Sequence, residues 1–212
     1  MPGTTTKTQR LRRVPQQTRS RDKLRRVLDA ADALLAAEGE RALVTTRVAE
    51  AAGVSVGSLY AYFSDKEAIA EALALRYWSQ IEARIASVVE AGERAPHDDP
   101  TAALLDAVAG GFRDSAGFRA LWFGALRTER LRDVTRPART TIGALVDRLL
   151  AVHWPQADPA RRATVARMVV LAGDGLLREA FRLHPDGDAT VLEEGRLMLD
   201  AYINARLGEA RA

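Results

Sequence analysis

The stretch "AEAAGVSVGSLYAYFSDKE", Ala49 to Glu67, decides the fold. It holds Gly53 and Gly57, Ser55 and Ser58, and the aromatics Tyr60, Tyr62 and Phe63. Gly53 falls where a preceding helix must end, because glycine accepts the left-handed backbone of a tight turn. Ala49 is small enough to let a second helix come close, and Val54 can pin the turn to a core. Ser55 is a preferred N-cap residue for the helix that follows. Leu59 and Phe63 lie four apart and face inward with Val48. This spacing fits a helix-turn-helix.

The outward face of the second helix is then Val56, Gly57, Ser58, Tyr60 and Tyr62. Its N-terminal end has little bulk, so its backbone can approach another surface with free N–H groups and a positive dipole end. DNA phosphate and the major groove match that demand. Tyr60 and Tyr62 bring hydroxyls, Lys66 opens the next helix, and Thr45, Thr46 and Arg47 open the previous one. All suit contact with phosphates or base edges. Two short helices joined by glycine also form hairpins that bind nothing, and spacing alone leaves that reading open.

Outward from this stretch the sequence keeps a helical period. Leu24, Val27, Leu28, Ala31, Leu34 and Leu35 line one face of a helix over 20–38, which Gly39 stops. Short helices are expected at 45–52 and 56–63. Ser64 and Glu67 form a capping box that opens a helix to about Ala91, roughly 40 Å long. Residues 92–100 read as a turn, followed by helices at 100–112, 115–126 and 136–153. Asp158-Pro159 starts another that runs to about His184, and a last one covers 189–207 before Gly208. No alternating β pattern appears. The expected fold class is all-α, a three-helix N-terminal helix-turn-helix domain followed by a bundle of about six helices. The expected domains are a basic flexible tail at 1–19, a DNA-binding domain at 20–66 and a second domain at 67–212.

Composition narrows the function. Of 212 residues, 47% are hydrophobic and 28% charged, which suits a water-soluble globular chain. The absence of cysteine excludes disulfides, Cys-based zinc sites and thiol catalysis, and suits a reducing cytoplasm. No apolar run is long enough for a membrane span. The N-terminus lacks the apolar segment of a secretory signal, and Pro2, Gly3 and Pro15 interrupt an amphipathic transit helix. Residues 1–26 carry nine Lys or Arg against Asp22 alone, a net of +8, so a total of +3 leaves the rest at −5. Such asymmetry points to a polyanion near the N-terminus, or to a solubilising tail.

From Thr45 to Leu73, "TTRVAEAAGVSVGSLYAYFSDKEAIAEAL" resembles the DNA-binding signature of tetracycline-repressor-like (TetR family) transcriptional regulators. The matching elements are Val48-Ala49, Ala52-Gly53-Val54-Ser55, Gly57-Ser58-Leu59-Tyr60, Tyr62-Phe63 and Lys66-Glu67. One departure is Val44, which stands where many relatives carry a Thr or Ser cap, with Thr45 the alternative cap. The resemblance implies a cytoplasmic homodimer that binds a palindromic operator in double-stranded DNA, a repressor released by a small-molecule effector. By position, Arg47, Ser55, Val56, Gly57, Ser58, Tyr60, Tyr62 and Lys66 would face DNA. Tyr60, Tyr62 and Lys66 are the phosphate candidates, and Arg47, Val56 and Ser58 the base candidates.

The resemblance also gives the second domain an effector cavity. Its candidate lining is Tyr77, Trp78, Phe112, Phe118, Trp122, Phe123, Arg127, Leu171 and Asp174, with a packed core as the alternative reading. Asp174 interrupts an apolar run and could meet a cationic ligand or an arginine such as Arg127. The implied dimer surface is on the last two helices, through Leu177, Phe181, Leu192, Leu199, Tyr202 and Ile203, with Gly173 and Gly175 permitting close approach. An enzyme is not expected. His97, His153 and His184 are far apart and read as surface residues, and neither a Gly-rich phosphate loop with Lys nor a nucleophile elbow is present. No metal and no cofactor is expected. The alternative function is a helical adaptor that binds only protein, which would leave the low face of the second helix and the basic tail without a role.

Overall fold

The computed structural model describes residues 18–124 and 129–208. These form nine α-helices and no strand among the described residues. They are α1 (Thr18–Glu38), α2 (Thr45–Ala51), α3 (Val56–Tyr60), α4 (Lys66–Arg94), α5 (Pro100–Asp114), α6 (Ala116–Phe123), α7 (Glu129–His153), α8 (Pro159–Arg182) and α9 (Ala189–Leu207). The all-α expectation holds. The helix-turn-helix occupies α2 and α3, after α1 and a 3-10 turn at Glu40–Ala42.

The chain divides into two compact units. One contains the described residues up to Arg76 together with Ala116–Val134, and the other contains Tyr77–Ser115 and Thr135 onward. In the first, α1 packs on α2 and α6. Val27, Ala31 and Leu35 of α1 are fully enclosed, as are Leu43, Val48, Leu59, Phe63, Ile69 and Leu73. Arg76 on α4 bonds Asp29 at 2.6 Å and Asp32 at 2.8 Å, which ties α4 to α1. Glu71, almost wholly buried, pairs with Arg130 of α7. In the second unit α8 packs along α9, and α5 packs against both. A methyl group at Gly195 would lie 3.0 Å from the Leu176 side chain, so glycine permits the α8–α9 approach there. Gly173 and Gly175, expected to permit close approach at the dimer surface, have nothing of their own chain within 4 Å of a would-be Cβ.

Several boundaries differ from expectation for physical reasons. The N-cap of α4 is Asp65, not Ser64. Asp65 Oδ1 accepts from the Ala68 amide at 2.8 Å, while the Ser64 hydroxyl donates to the other carboxylate oxygen. A carboxylate at a helix N-terminus gains from both the free amides and the dipole, and it displaces the hydroxyl. α4 also continues through Gly92 to Arg94. α7 is described from Glu129, upstream of the expected start near 136, and Pro137 lies inside it. Proline removes one donor and disfavours a helix interior, but it does not forbid the helix from continuing.

His153 is not a surface residue. It is 2% exposed, its ring stacks on His97 with centroids 6.0 Å apart, and its Nε2 has no protein partner. His97 is half-buried and its Nε2 lies 2.9 Å from the Val88 carbonyl. Burial, with a smaller contribution from His97, lowers the His153 pKa from its ordinary 6.5. A folded-state pKa below the unfolded one means that the unfolded chain takes up the proton first. Stability is therefore full above about pH 6.5 and falls as pH drops from there through the folded pKa. The thermal midpoint should fall between about pH 7.5 and pH 5.5, and His153→Phe should reduce that fall. Equal pH dependence in the two proteins would contradict this reading.

Candidate nucleic-acid interface

The turn between α2 and α3 closes as a Schellman motif. Gly53 has φ of 63°, its amide bonds the Glu50 carbonyl at 3.0 Å, and the Val54 amide bonds the Ala49 carbonyl at 3.0 Å. These are the two bonds that satisfy the last carbonyls of a helix. Two residues later Ser55, extended, accepts the Ser58 amide on its Oγ at 3.1 Å and caps α3. Its hydroxyl also donates to Ser58 Oγ at 3.0 Å. α3 is a five-residue helix, too short to persist alone. Leu59 and Phe63, both fully buried, hold it.

With Leu59 inward, the opposite face is open. Val56 is 38% and Tyr60 41% exposed, and Gly57 and Ser55 are exposed with Ser58 half-buried. A Cβ at Gly57 would meet nothing within 4 Å. The Tyr60 hydroxyl lies 3.2 Å from Thr45 Oγ1, a hydrogen bond that joins the end of α3 to the start of α2. Thr46, Arg47 and Lys66 are exposed. Arg47 forks onto Glu38 at the end of α1, with Nη1 to Oε2 at 3.0 Å and Nη2 to Oε1 at 2.6 Å. Arg47 in turn holds the Glu38 carboxyl below its usual range. α2 starts at Thr45 with Val44 at the cap position, extended and with no side-chain bond to the helix amides.

Tyr62 departs from the expected outward position. It lies beyond the end of α3, where its amide and that of Phe63 both bond the Leu59 carbonyl. This turns its ring inward to 9% exposure, and its hydroxyl donates to Ser20 of α1 at 3.2 Å. Its position thus braces α1 against the motif rather than flanking the open face. Three residues after the buried Leu59, Tyr62 shares the Leu59 side of the segment, as its 9% exposure shows.

The candidate effector residues are distributed over both units. Phe118 and Trp122 are buried in the first, tilted with centroids 5.3 Å apart, with Phe123 half-buried beside them in the chain. Tyr77, Trp78 and Phe112 are buried in the second, where Phe112 stacks on Phe181 at 5.0 Å. Asp174 is half-buried, 3.7 Å from Arg139 and 3.6 Å from Arg178. Leu171 is 57% exposed and does not face the interior of the subunit. Arg127 lies outside the described residues. An apolar cleft in the second unit, lined by Leu104, Val146, Leu149, Trp154 and Ile203 among others, has about 10 Å³. That is about one water molecule's worth, and none of the candidate effector residues lines it.

Leu177, Phe181, Leu199 and Ile203 are enclosed by their own subunit, while Leu192 and Tyr202 are half-buried. The large apolar side chains that α8 and α9 leave exposed are Met168, Leu171, Leu197 and Met198. On α8 Met168, Leu171 and the exposed Gly175 follow i, i+3, i+7 spacing, a second stripe beside the core stripe of Val165, Val169, Gly173 and Leu177. That second stripe was legible in the sequence as an apolar band wider than one buried face requires.

Comparison with known proteins places this geometry. Residues 27–73 match the family model described as bacterial regulatory proteins, tetR family. Residues 96–207 match that of the tetracyclin repressor-like C-terminal domain. Among solved structures, a TetR-family transcriptional regulator from Streptomyces coelicolor is 31% identical, with 89% of this chain and 99% of that one covered and a TM-score of 0.67. The multidrug binding protein EbrR, complexed with imidazole, is 26% identical over 85% of this chain and 94% of that one, with a TM-score of 0.61. A transcriptional regulator from Rhodococcus sp. Rha1 shares the fold at 22% identity, with 89% and 98% covered and a TM-score of 0.63. No curated protein matches the chain.

Proposed function

The chain belongs to the tetracycline-repressor-like family of DNA-binding transcriptional regulators, and from that premise we propose that it is a homodimeric repressor, released from a palindromic operator by a small-molecule effector. The observation that carries the DNA part is the open face of α3, where Val56, Gly57 and Tyr60 are exposed with free space above Gly57. A face of that height lets the α3 backbone enter a major groove. In this reading Arg47, Val56 and Ser58 reach base edges, while Thr45, Thr46, Ser55, Tyr60 and Lys66 hold phosphates. Residues 20–66 carry DNA binding and residues 67–212 carry effector binding and dimerisation. The nine basic residues within 1–26 add salt-sensitive affinity that is independent of sequence. The protein acts where the DNA is, in the cytoplasm. No described helix is long and apolar enough to cross a membrane.

The effector part rests on the second unit's aromatics and on the likeness to EbrR, which is also solved with malachite green. Binding there would bias α4, a single helix whose residues up to Arg76 belong to one unit and from Tyr77 to the other. Coupling of this kind requires two states that the effector binds unequally. An effector that saturates the second unit and leaves operator affinity unchanged would contradict it.

Selection of bound fragments from genomic DNA tests the function. The expected product is a two-fold-symmetric sequence with half-sites about 10 base pairs apart or slightly more. No enrichment, or single unpaired sites, would contradict the reading. For the dimer we place the interface on the exposed stripe of α8 and α9. Leu171→Glu and Met198→Glu together should convert the sedimenting species to monomer without lowering the thermal midpoint of the subunit core. A variant that still sediments as a dimer would put the interface elsewhere.

A further inference from the structure

Arg47 is among the side chains that face DNA in the proposed function, yet its guanidinium is already engaged. Both terminal nitrogens bond one carboxylate, that of Glu38, side by side at 3.0 and 2.6 Å. Those two nitrogens are the ones that a guanine edge or a phosphate would take. Glu50, one turn further along α2, adds a second negative charge to the field at Arg47. The carboxyl of Glu38 is held below its usual range, so the pair stays ionised at neutral pH.

The placement of Glu38 is not explained by the stability of α1. It is the last residue of that helix, and the last turn holds no basic residue. A negative charge there opposes the helix dipole. Nor is the pair a core element, because the two side chains are 44% and 50% exposed. Exposed ion pairs contribute little to folding. What the pair does change is the charge that α2 presents to a polyanion.

We infer that Glu38 is a specificity-determining positioning residue that withholds Arg47 from the phosphates of non-cognate DNA. The inference rests on the DNA-binding reading above and adds to it a means of discrimination. Phosphates attract Arg47 at any sequence, and each phosphate contact releases counterions and adds affinity without information. Glu38 competes with that contact everywhere. A base edge that accepts both terminal nitrogens at once replaces the geometry that Glu38 supplies, and only there does Arg47 exchange partners. Glu38 thus lowers the non-specific background more than the cognate complex.

The test uses the full chain and a fluorescent duplex of random sequence, titrated between about 50 and 200 mM salt. Glu38→Gln should steepen the dependence of log affinity on log salt by about 0.9, the increment for one added phosphate contact, and raise affinity on the order of tenfold at the low-salt end. Glu38→Asp should keep the wild-type slope. The double variant Glu38→Gln/Arg47→Ala should bind as Arg47→Ala does, which separates release of Arg47 from simple loss of a negative charge. A wild-type slope in Glu38→Gln, or a gain that survives removal of Arg47, overturns the inference while leaving DNA binding intact. A wild-type protein with no salt-dependent DNA binding would instead end the DNA-binding reading, and this inference with it.

Discussion

The burial of Leu59 and Phe63 is the constraint on which the candidate site depends. Both side chains are fully enclosed in the first unit, and burying side chains of this size contributes about 1.5–3 kcal/mol each. A helix of five residues has no stability of its own, since nucleation costs more than one turn of hydrogen bonds returns. α3 exists because these two residues anchor it, and the anchoring fixes which face is left outside. Val56, Gly57 and Tyr60 are open because Leu59 is not.

The turn chemistry makes that anchoring compatible with a satisfied backbone. The Schellman bonds at Gly53 and Val54 close α2, and Ser55 caps α3 at once. Only glycine takes the Gly53 conformation without strain. The Thr45–Tyr60 and Tyr62–Ser20 hydrogen bonds then tie α3 to α2 and the segment after it to α1. The ion pairs from Arg76 to Asp29 and Asp32 do the same for α4. Polar contacts here orient elements that apolar burial has already brought together.

The helix-turn-helix was legible in the sequence because its signals are local. Gly53, Ser55, Leu59 and Phe63 each act within a few residues of their place in the chain, and the structure puts each in the expected role. The features that were not legible are those decided by tertiary competition. Ser64 and Asp65 are adjacent cap candidates, and the choice between them is electrostatic. The helix expected over 136–153 is described from Glu129, with Pro137 inside it. His153 looks like a surface residue at a helix end, and only the packing of His97 and Trp154 around it shows otherwise. On α8 and α9 the apolar pattern is wide enough for two faces. Periodicity shows that both exist but not which one the subunit keeps for itself. Tyr62 sits at the edge of the Leu59 face, and its contact with Ser20 of α1, distant in the chain, decides that it turns inward.

In the proposed function α3 presents a low face so that its backbone can approach DNA. Gly57→Leu tests it most directly. A Cβ at this position meets nothing within 4 Å in the protein, and leucine is the better helix former by roughly 1 kcal/mol. The expected result is a thermal midpoint equal to or above that of the wild type, together with loss of binding to the duplex recovered by genomic selection. Wild-type affinity for that duplex in the folded Gly57→Leu protein would contradict it.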